Sequence, residues 1–397
     1  MKFRNRNVLS FWTVTYTLCV VMMGTNVPAP LYSIYSRMWD FSSGMVTLLF
    51  ATYAFVLVPS SLLFGQLSDR FGRKKMLLSG VVTAAVGTLI FAIAHETWML
   101  LLGRAIQGLC VGILNGSAIA MLAELRPGHR KGASFAASVA IAFGTAAGPL
   151  ISGIVAEYTP FPVRIPYYMH LALLVPAIIG IMVTRETLQQ HSRTFRLRIP
   201  RVPASIRFPF LTATFVGVFA WAVAGFFMVV APTFVTSLVG IRNLAVSGAV
   251  VFLMLGSSTI TQLLFKKTAF ARAIFRGFVF LTTGLVGVAV SIPAHSVWLL
   301  LLSTAAAGVG HGPAASASLG MVTEMAPAAS KADAVSSYYA IAYLGVSVPV
   351  LGLGLVAEWL GMYGAILVFS VAVIVGIFIL SRFIPLALKE PQLMVAP

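Results

Sequence analysis

Long apolar runs alternate with short polar segments along nearly the whole chain. Each run holds about 20 residues, the length that an α-helix needs to cross a bilayer. The runs are too long for the strands of a barrel and lack alternation with a period of two. Helices also satisfy their own backbone hydrogen bonds, as a membrane-spanning segment must. Twelve spans are predicted, at 8–30, 44–65, 76–94, 98–122, 132–156, 166–184, 208–232, 246–265, 274–292, 297–321, 332–356 and 361–384.

The composition supports a membrane protein and excludes a soluble one. Charged residues make up 9% of the chain and hydrophobic residues 59%, with a mean hydropathy of +0.95. A soluble domain carries about 25% charged residues, so this chain has too few to cover a surface that faces water. The predicted fold class is therefore an all-α membrane protein with twelve transmembrane helices.

The net charge of +17 is explained by membrane topology, and no nucleic-acid partner is expected. Most of the 27 lysines and arginines fall in the termini and in the loops after every second span. Only Arg37, Arg164 and Arg242 fall on the opposite side, while Arg104 lies within a span. This bias predicts a multi-pass protein with both termini in the cytoplasm. The basic residues are expected to attract anionic lipids at the cytoplasmic face.

The two halves of the chain repeat each other. The segment 124–127 (Glu-Leu-Arg-Pro) aligns with 324–327 (Glu-Met-Ala-Pro), and 155–157 aligns with 356–358, both Val-Ala-Glu. One long polar stretch separates six spans from six. The predicted domains are an N-terminal six-helix bundle at 1–184, a cytoplasmic linker at 185–207 and a C-terminal six-helix bundle at 208–397.

A charged turn interrupts the apolar pattern between the second and third spans. From Gly65 to Lys74 it follows the pattern Gly-x-Leu-x-Asp-Arg-x-Gly-Arg-Lys. This spacing resembles motif A of the major facilitator superfamily of secondary transporters. The resemblance implies the major facilitator fold, in which twelve helices form two pseudo-symmetric six-helix bundles with the substrate site between them.

The resemblance also implies a conformational latch at this turn. Its predicted members are Gly65, Asp69, Arg70, Gly72 and Arg73. The two glycines are predicted to permit the tight turn. Asp69 is expected to lie at the amino-terminal end of helix 11, where the helix dipole favours a carboxylate, and to hold the cytoplasmic side closed. The alternative is an ordinary basic loop at the cytoplasmic face in which the acid is incidental.

Helix 4 carries the strong base that lies inside a predicted span. Arg104 and Gln107, followed by Gly108, resemble motif B of the same family. A charge at the bilayer centre costs several kcal/mol unless it is paired or hydrated, so Arg104 is predicted to face the central cavity. There it would bind an anionic or polar substrate or belong to a proton-relay network. The alternative is an arginine that snorkels to the outer interface, because Trp98 lies one to two turns away.

The fifth span contains Gly144, Gly148, Pro149 and Gly153. They resemble the G-x-x-x-G-P-x-x-x-G signature of exporters in the superfamily, motif C, although the final glycine pair is Ser152-Gly153 here. Small residues four apart allow close helix packing, and proline bends a helix. The resemblance favours efflux over uptake. The alternative is a packing face of small residues with no bearing on direction.

The ten acidic residues all fall in loops or at the ends of predicted spans. Related exporters of lipophilic cations generally place an acid in the cavity, so the resemblance implies neutral, zwitterionic or anionic substrates. Proton antiport then needs another titrating group. His311 in helix 10 is the first candidate, because imidazole titrates near neutral pH. A hydrogen-bonded structural histidine is the alternative, and His170, Asp40 and Glu96 are further candidates for the proton carrier.

Helices 1, 4, 7 and 10 line the cavity in the family that this chain resembles. The predicted coupling and substrate residues are Arg104, Gln107, His311, Asn26, Tyr32, Asn115, Trp221 and Phe226. For each aromatic residue the alternative is packing in the bundle or anchoring at the membrane interface.

These observations predict an exporter of the bacterial-type inner (plasma) membrane that works by alternating access with proton antiport. The substrate would be a drug or metabolite, as in multidrug resistance. No cofactor or metal is expected, and a monomer is predicted. An enzyme is not expected, because the spans contain no nucleophile–base pair and no histidines at ligand spacing. Two alternatives remain: a metabolite, sugar or siderophore transporter of either direction, and a non-transporting membrane sensor on this fold.

Overall fold

The computed structural model describes the backbone of residues 2–188, 200–237, 243–265, 267–327 and 330–393. Side chains are described for the same residues except 2–6, 69, 127, 130–131, 230–237, 332 and 389–393. Within these limits the regular structure is entirely helical. The all-α class predicted from the sequence is confirmed.

The helices follow the predicted spans closely. They are α1 (Lys2–Asn26), α2 (Tyr32–Trp39), α3 (Ser43–Phe71), α4 (Arg73–Ala92), α5 (Thr97–Leu125), α6 (Arg130–Tyr158), α7 (Ile165–Val183), α8 (Arg207–Ser237), α9 (Leu244–Leu264), α10 (Phe270–Ser291), α11 (Val297–Met325) and α12 (Lys331–Leu393). Short 3₁₀ turns lie at Ala29–Leu31, Pro127–His129 and Ala204–Ile206.

The longest helix, α12, is divided by Gly361. The backbone of this glycine is non-helical, with φ 72° and ψ 167°. In the first half of α12, Tyr338 packs at Gly217 of α8, and Val346 packs at Gly225, about two turns further on along both helices. Residue numbers therefore increase in the same direction on both helices, so this half runs parallel to α8.

The second half of α12 runs in the opposite direction. Phe369 stacks on Phe226 of α8, and Phe383 lies beside Phe208 near the beginning of α8. The two halves are thus the arms of a hairpin. In the described chain, eleven helical segments are long and apolar enough to cross a membrane, and the hairpin accounts for a twelfth. The predicted fold class with twelve spans is confirmed.

The chain forms two compact units. The first comprises Met1–Phe41, Thr52–Leu197 and Asn243–Ala249, and the second comprises Ser42–Ala51, Arg198–Arg242 and Val250–Pro397. In the first unit α1 packs against α5, α6 and α7, and α4 packs against α5 and α7. In the second, α8 packs against α11 and α12, and α10 packs against α11. The domain boundaries predicted at 184 and 207 stay a prediction, and residues 189–199 of the predicted linker lie outside the described residues.

Large apolar side chains remain exposed on many of the described helices. Val183, Leu264 and Trp298 are 76%, 73% and 78% exposed. Extensive apolar exposure is unfavourable in water but is expected where lipid tails are the solvent. The exposed surface therefore agrees with the membrane location predicted from composition.

Candidate functional site

The first helix ends inside its compact unit, where two prolines interrupt it. Helix α1 stops at Asn26, and Pro28 and Pro30 follow. In a continuing helix the N–H of residue 28 would donate to the carbonyl oxygen of Gly24, but proline has no N–H. The carbonyl groups at this end therefore need donors from elsewhere.

Arg104 and Gln107 of α5 provide those donors. Gln107 Nε2 donates to Gly24 O over 2.9 Å, and Arg104 Nη1 donates to Thr25 O over 2.7 Å. Arg104 Nη1 also donates to Gln107 Oε1 over 2.9 Å. The two side chains share a helix face because they are three residues apart. Together they cap the carboxyl-terminal end of α1, whose partial negative charge also attracts the guanidinium group.

The surroundings of Arg104 bring together part of the predicted site. The Arg104 side chain is 3% exposed, which excludes the alternative of snorkelling to the interface. Its guanidinium carbon lies 4.8 Å from the ring centre of Tyr53. Asn26 Nδ2 donates to Thr25 Oγ1 over 3.0 Å, so this predicted cavity residue joins the same cap. Sequence reasoning missed Thr25 and Tyr53.

Two other predicted cavity residues contribute buried polar atoms. Among the described residues, no hydrogen-bond partner is found for the Tyr32 hydroxyl or for Asn115 Oδ1. Buried polar atoms without partners are uncommon in folded proteins. These two atoms therefore keep hydrogen-bonding capacity that the described residues do not use.

His170 of α7 forms a third contact to α1. Its Nε2 lies 2.9 Å from Val20 O, and its Nδ1 lies 2.9 Å from Thr88 Oγ1. Because a carbonyl oxygen only accepts, Nε2 carries a proton toward Val20 O. The Thr88 hydroxyl also lies 2.9 Å from Ala84 O, so its single hydrogen serves either that carbonyl group or His170 Nδ1. A Cβ at Gly24 would lie 2.2 Å from His170 Cε1, so the glycine makes room for the ring. His170 is thus a hydrogen-bonded packing residue in this structure.

His311 of α11 is bonded through one nitrogen. Its Nδ1 lies 2.7 Å from Ser258 Oγ, while the buried Nε2 has no partner among the described residues. The ring is 4% exposed and meets Trp221 edge to face, with ring centroids 4.8 Å apart. A Cβ at Gly312 would lie 2.2 Å from Ser258 O, so this glycine lets α9 come close. One imidazole nitrogen is left to exchange a proton or bind a ligand.

Phe226 packs in an aromatic cluster of the second unit. Its ring stacks on Phe369 and meets Phe227 edge to face, with 5.2 Å between centroids in both pairs. The side chain is 1% exposed. This environment matches the packing alternative, whereas the neighbouring Trp221 is only half-buried.

Within the charged turn, a single non-helical residue separates α3 from α4. Helix α3 continues to Phe71, and Gly72 connects it to α4 with φ 98° and ψ 151°. The prediction that Gly65 shapes this turn is wrong, because Gly65 lies inside α3 and a Cβ there would meet no atom within 4 Å. Arg70 is exposed, with its guanidinium over the ring of Phe71. The side chain of Asp69 lies outside the described residues, so the latch stays a prediction.

Glu186 caps the beginning of α4, a role that sequence reasoning missed. Its carboxylate accepts from the backbone N of Arg73 at 2.9 Å and of Lys74 at 3.1 Å. Arg73 Nε in turn donates to Glu124 Oε1 over 3.2 Å. A carboxylate is favourable at a helix amino terminus. The available signal was an acid just beyond the sixth apolar run, but its partner could not be read from the sequence.

Replacing Gly72 with alanine is expected to destabilise the protein by about 1–3 kcal/mol, because its backbone lies in a region open essentially to glycine alone. Thermal unfolding of the purified protein measures this effect. Gly132→Ala is the matched control, since Gly132 is helical and a Cβ there would meet no atom within 4 Å. Equal melting temperatures for the two variants would contradict the assignment.

The glycines of α6 bring this helix against α1. A Cβ at Gly144 would lie 2.2 Å from Cys19 O, and a Cβ at Gly148 would lie 2.3 Å from Met23 O. Distances below 3.0 Å to a backbone atom leave no room for a side chain. Two of the predicted efflux-motif residues therefore form one close helix–helix contact.

The other end of the same motif contacts the first turn of α9. A Cβ at Gly153 would lie 2.4 Å from Leu244 O, and a Cβ at Gly248 would lie 2.2 Å from Pro149 O. Helix α6 thus packs against α1 along one part of the motif and against α9 along the next. No group of three or more His, Cys, Asp or Glu residues that could hold a metal ion occurs in the part of the chain that the structure describes.

Comparison with known families decides the assignment. A family model described as Major Facilitator Superfamily matches residues 14–296. The chain belongs to the Major Facilitator Superfamily. The resemblance inferred from the charged turn and the helix motifs is confirmed, and so is the prediction of a transporter family rather than an enzyme.

Curated relatives of this major facilitator protein match over part of their length. The quinolone resistance protein NorA of Staphylococcus aureus is 25% identical over 193 residues, which are 48% of this chain and 49% of NorA. An uncharacterised MFS-type transporter of Methanocaldococcus jannaschii is 24% identical over 209 residues, 52% of each chain. The chain thus spans about half the length of the curated relatives it matches.

Solved structures share the fold of this major facilitator protein at low sequence identity. A bacterial homologue of the human lysosomal transporter Spinster, inward-facing and unoccupied, has a TM-score of 0.78, 14% identity and 98% coverage of both chains. A POT family transporter in complex with a thioalcohol-conjugated peptide has a TM-score of 0.78, 13% identity and 96% coverage of both. At these identities the similarity shows the fold alone.

Proposed function

We propose that this protein exports small molecules across the inner (plasma) membrane by alternating access, in exchange for protons. The observation that carries the proposal is the glycine face of α6, where Gly144 and Gly148 admit the backbone of α1. This face matches the motif typical of exporters in the family. The similarity to a protein named for quinolone resistance supports the same direction.

The charges of the described residues favour a neutral, zwitterionic or anionic substrate. Arg104 places a buried positive charge inside the first unit. The described acids lie instead at helix ends or in connections, as Glu96 and Glu157 do. A quinolone such as norfloxacin carries one carboxylate and one amine and is a zwitterion near neutral pH, so it is a suitable first probe.

Transport in everted membrane vesicles tests the export proposal. Vesicles from a host without its own exporters should accumulate norfloxacin when their lumen is acidified, and collapse of the pH gradient should release it. Accumulation only in right-side-out vesicles would show uptake instead of export. No flux of any compound in a chemically diverse panel, with correctly folded protein, would support a sensor.

His311 is proposed to carry the exchanged proton. Its Nε2 is buried and without a partner among the described residues, while Nδ1 is held by Ser258. We expect His311→Gln to abolish accumulation driven by a pH gradient but to preserve exchange of labelled for unlabelled norfloxacin, because exchange needs no net proton movement. Unchanged gradient-driven accumulation would rule out this role. His295→Gln is the matched control, since His295 is exposed in the connection between α10 and α11.

The orientation is also part of the proposal. Basic residues cluster where α3 meets α4, and Arg126 follows the end of α5 with its guanidinium 4.1 Å from the ring centre of Phe11. We infer that these ends, and both termini with them, face the cytoplasm and its anionic lipids. The monomeric state stays a prediction.

A further inference from the structure

The five-residue pattern Gly-x-Val-Ala-Glu occurs twice in the chain, each time near the end of a long helix. Residues 153–157 are Gly-Ile-Val-Ala-Glu at the end of α6, and residues 354–358 are Gly-Leu-Val-Ala-Glu just before Gly361 in α12. The glycine and the glutamate of each copy are four residues apart, so they lie on one helix face. We refer to these as the Gly-Glu segments.

The first Gly-Glu segment holds the beginning of α9. Glu157 Oε2 accepts from the backbone N of Leu244 over 2.8 Å, and Gly153 lies against Leu244 O. Asn243 caps the same helix, because its Oδ1 accepts from Val246 N over 3.1 Å. The first turn of α9 thus has one cap from its own sequence and one from α6.

The second Gly-Glu segment also lies against the beginning of α3, here through the close approach of its glycine and glutamate. A Cβ at Gly354 would lie 2.1 Å from Thr47 Oγ1, and a Cβ at Gly44 would lie 2.5 Å from Glu358 Oε1. Ser42 Oγ accepts from Met45 N over 3.3 Å, as Asn243 does for its own helix. Each glutamate therefore lies at the positive end of a helix that begins beside it.

The first turns of α9 and α3 fall in the same compact unit as the Gly-Glu segment that each one contacts. Asn243–Ala249, at the start of α9, clusters in the same compact unit as Glu157, and Ser42–Ala51, at the start of α3, clusters with Glu358. The remainder of each helix belongs to the other unit. If the rest of α9 moves relative to Glu157, the contact at the first turn of α9 must change. The same holds for the rest of α3 and Glu358.

We propose that Glu157 and Glu358 are paired positioning residues of the transport cycle. Glu157 caps the first turn of α9, Glu358 lies beside the first turn of α3, and the two contacts open together when the transporter changes conformation. Both carboxylates are only partly covered, with Glu157 half-buried and Glu358 exposed, so water can reach each carboxylate when its contact opens. The inference rests on alternating access, but not on the substrate or on the direction of transport.

Cysteine labelling of the full-length protein in proteoliposomes tests the pair without any substrate. Leu244 and Thr47 are 5% and 2% exposed, so Leu244→Cys or Thr47→Cys reports when its contact opens. A membrane-impermeant maleimide is added, and labelling at each site is quantified by peptide mass spectrometry. We expect Glu157→Ala to speed labelling at position 244 by about threefold to tenfold, the change that loss of one carboxylate–helix contact allows.

The deciding measurement is the effect on the distant contact. If the contacts open together, Glu157→Ala also speeds labelling at position 47, and Glu358→Ala speeds labelling at position 244. A local structural role changes only the adjacent site, and that result would overturn the proposal. Glu157→Gln keeps an acceptor oxygen but loses the charge, so it should fall between the parent and the alanine variant.

Two controls separate opening from unfolding. Cys110 is 2% exposed and should stay unlabelled in every folded variant. Glu324→Ala removes an exposed acid near the end of α11 and should leave labelling at both sites unchanged. Because no substrate is used, failure of norfloxacin export would leave this result intact, and independent opening would leave the export proposal intact.

Discussion

Replacing Arg104 with alanine is expected to abolish transport and to lower the free energy of unfolding by about 3 kcal/mol. The guanidinium group donates to Thr25 O at the broken end of α1 and to Gln107 Oε1, and both acceptors are in a buried environment. Without the arginine, the end of α1 loses a charged donor that water cannot easily replace. Norfloxacin flux in vesicles and thermal unfolding in detergent measure the two effects.

Arg104→Lys separates the structural role from a role in binding. Lysine retains the charge and one donor but cannot reproduce the planar fork of the guanidinium group. If Arg104 acts only as a cap, stability and flux should recover in parallel. If it also contacts substrate, stability should recover while the KM for norfloxacin stays raised. Arg164→Ala, at an exposed position before α7, is the control, and flux at the parental rate in Arg104→Ala would contradict both roles.

Gly148→Ala is expected to reduce transport more than tenfold and to destabilise the protein by about 1–3 kcal/mol, as overpacking of a tight contact does. The new Cβ would lie 2.3 Å from Met23 O. Because the obstructing atom belongs to the backbone, α1 itself must shift, and with it the carbonyl groups that Arg104 and Gln107 bind. Flux and melting temperature should therefore fall together.

Gly352→Ala is the matched control for this substitution. Gly352 also lies within a long apolar helix, but a Cβ there would meet no atom within 4 Å. Alanine favours a helix over glycine by about 0.8–1 kcal/mol, so this variant should be as stable as the parent or more so. Equal losses in the two variants would show that the α1–α6 contact does not control the result, because the change in helix propensity alone favours alanine.

The helices could be predicted from the sequence because hydropathy and length determine them almost directly in a membrane protein. The division of α12 at Gly361 also agrees with the predicted gap between the last two spans. The turn at Gly72 was predicted from its spacing, but the same spacing misplaced Gly65, which is an ordinary helical residue. The sequence shows a glycine in both cases, and only the backbone dihedral angles distinguish a glycine in a turn from one within a helix.

The partners within the site could be predicted only in part. Pro28 implies that the Gly24 carbonyl lacks its helical donor, which follows from the sequence alone. That Gln107 is the replacement depends on how α5 crosses α1, which is a property of packing. The cap that Glu186 forms on α4 could not be predicted either, because it joins residues more than a hundred positions apart in the sequence.

The hairpin in α12 has a practical consequence for altering the chain. Gly361 is the single non-helical residue between two long helices, so the connection has no spare length. One inserted residue would rotate the following helix by about 100°. Ile366, Phe369 and Val373, now buried, would then turn away from their neighbours. Epitope tags or protease sites should therefore be tolerated poorly at this position, although many single substitutions elsewhere in the final helix would be accepted.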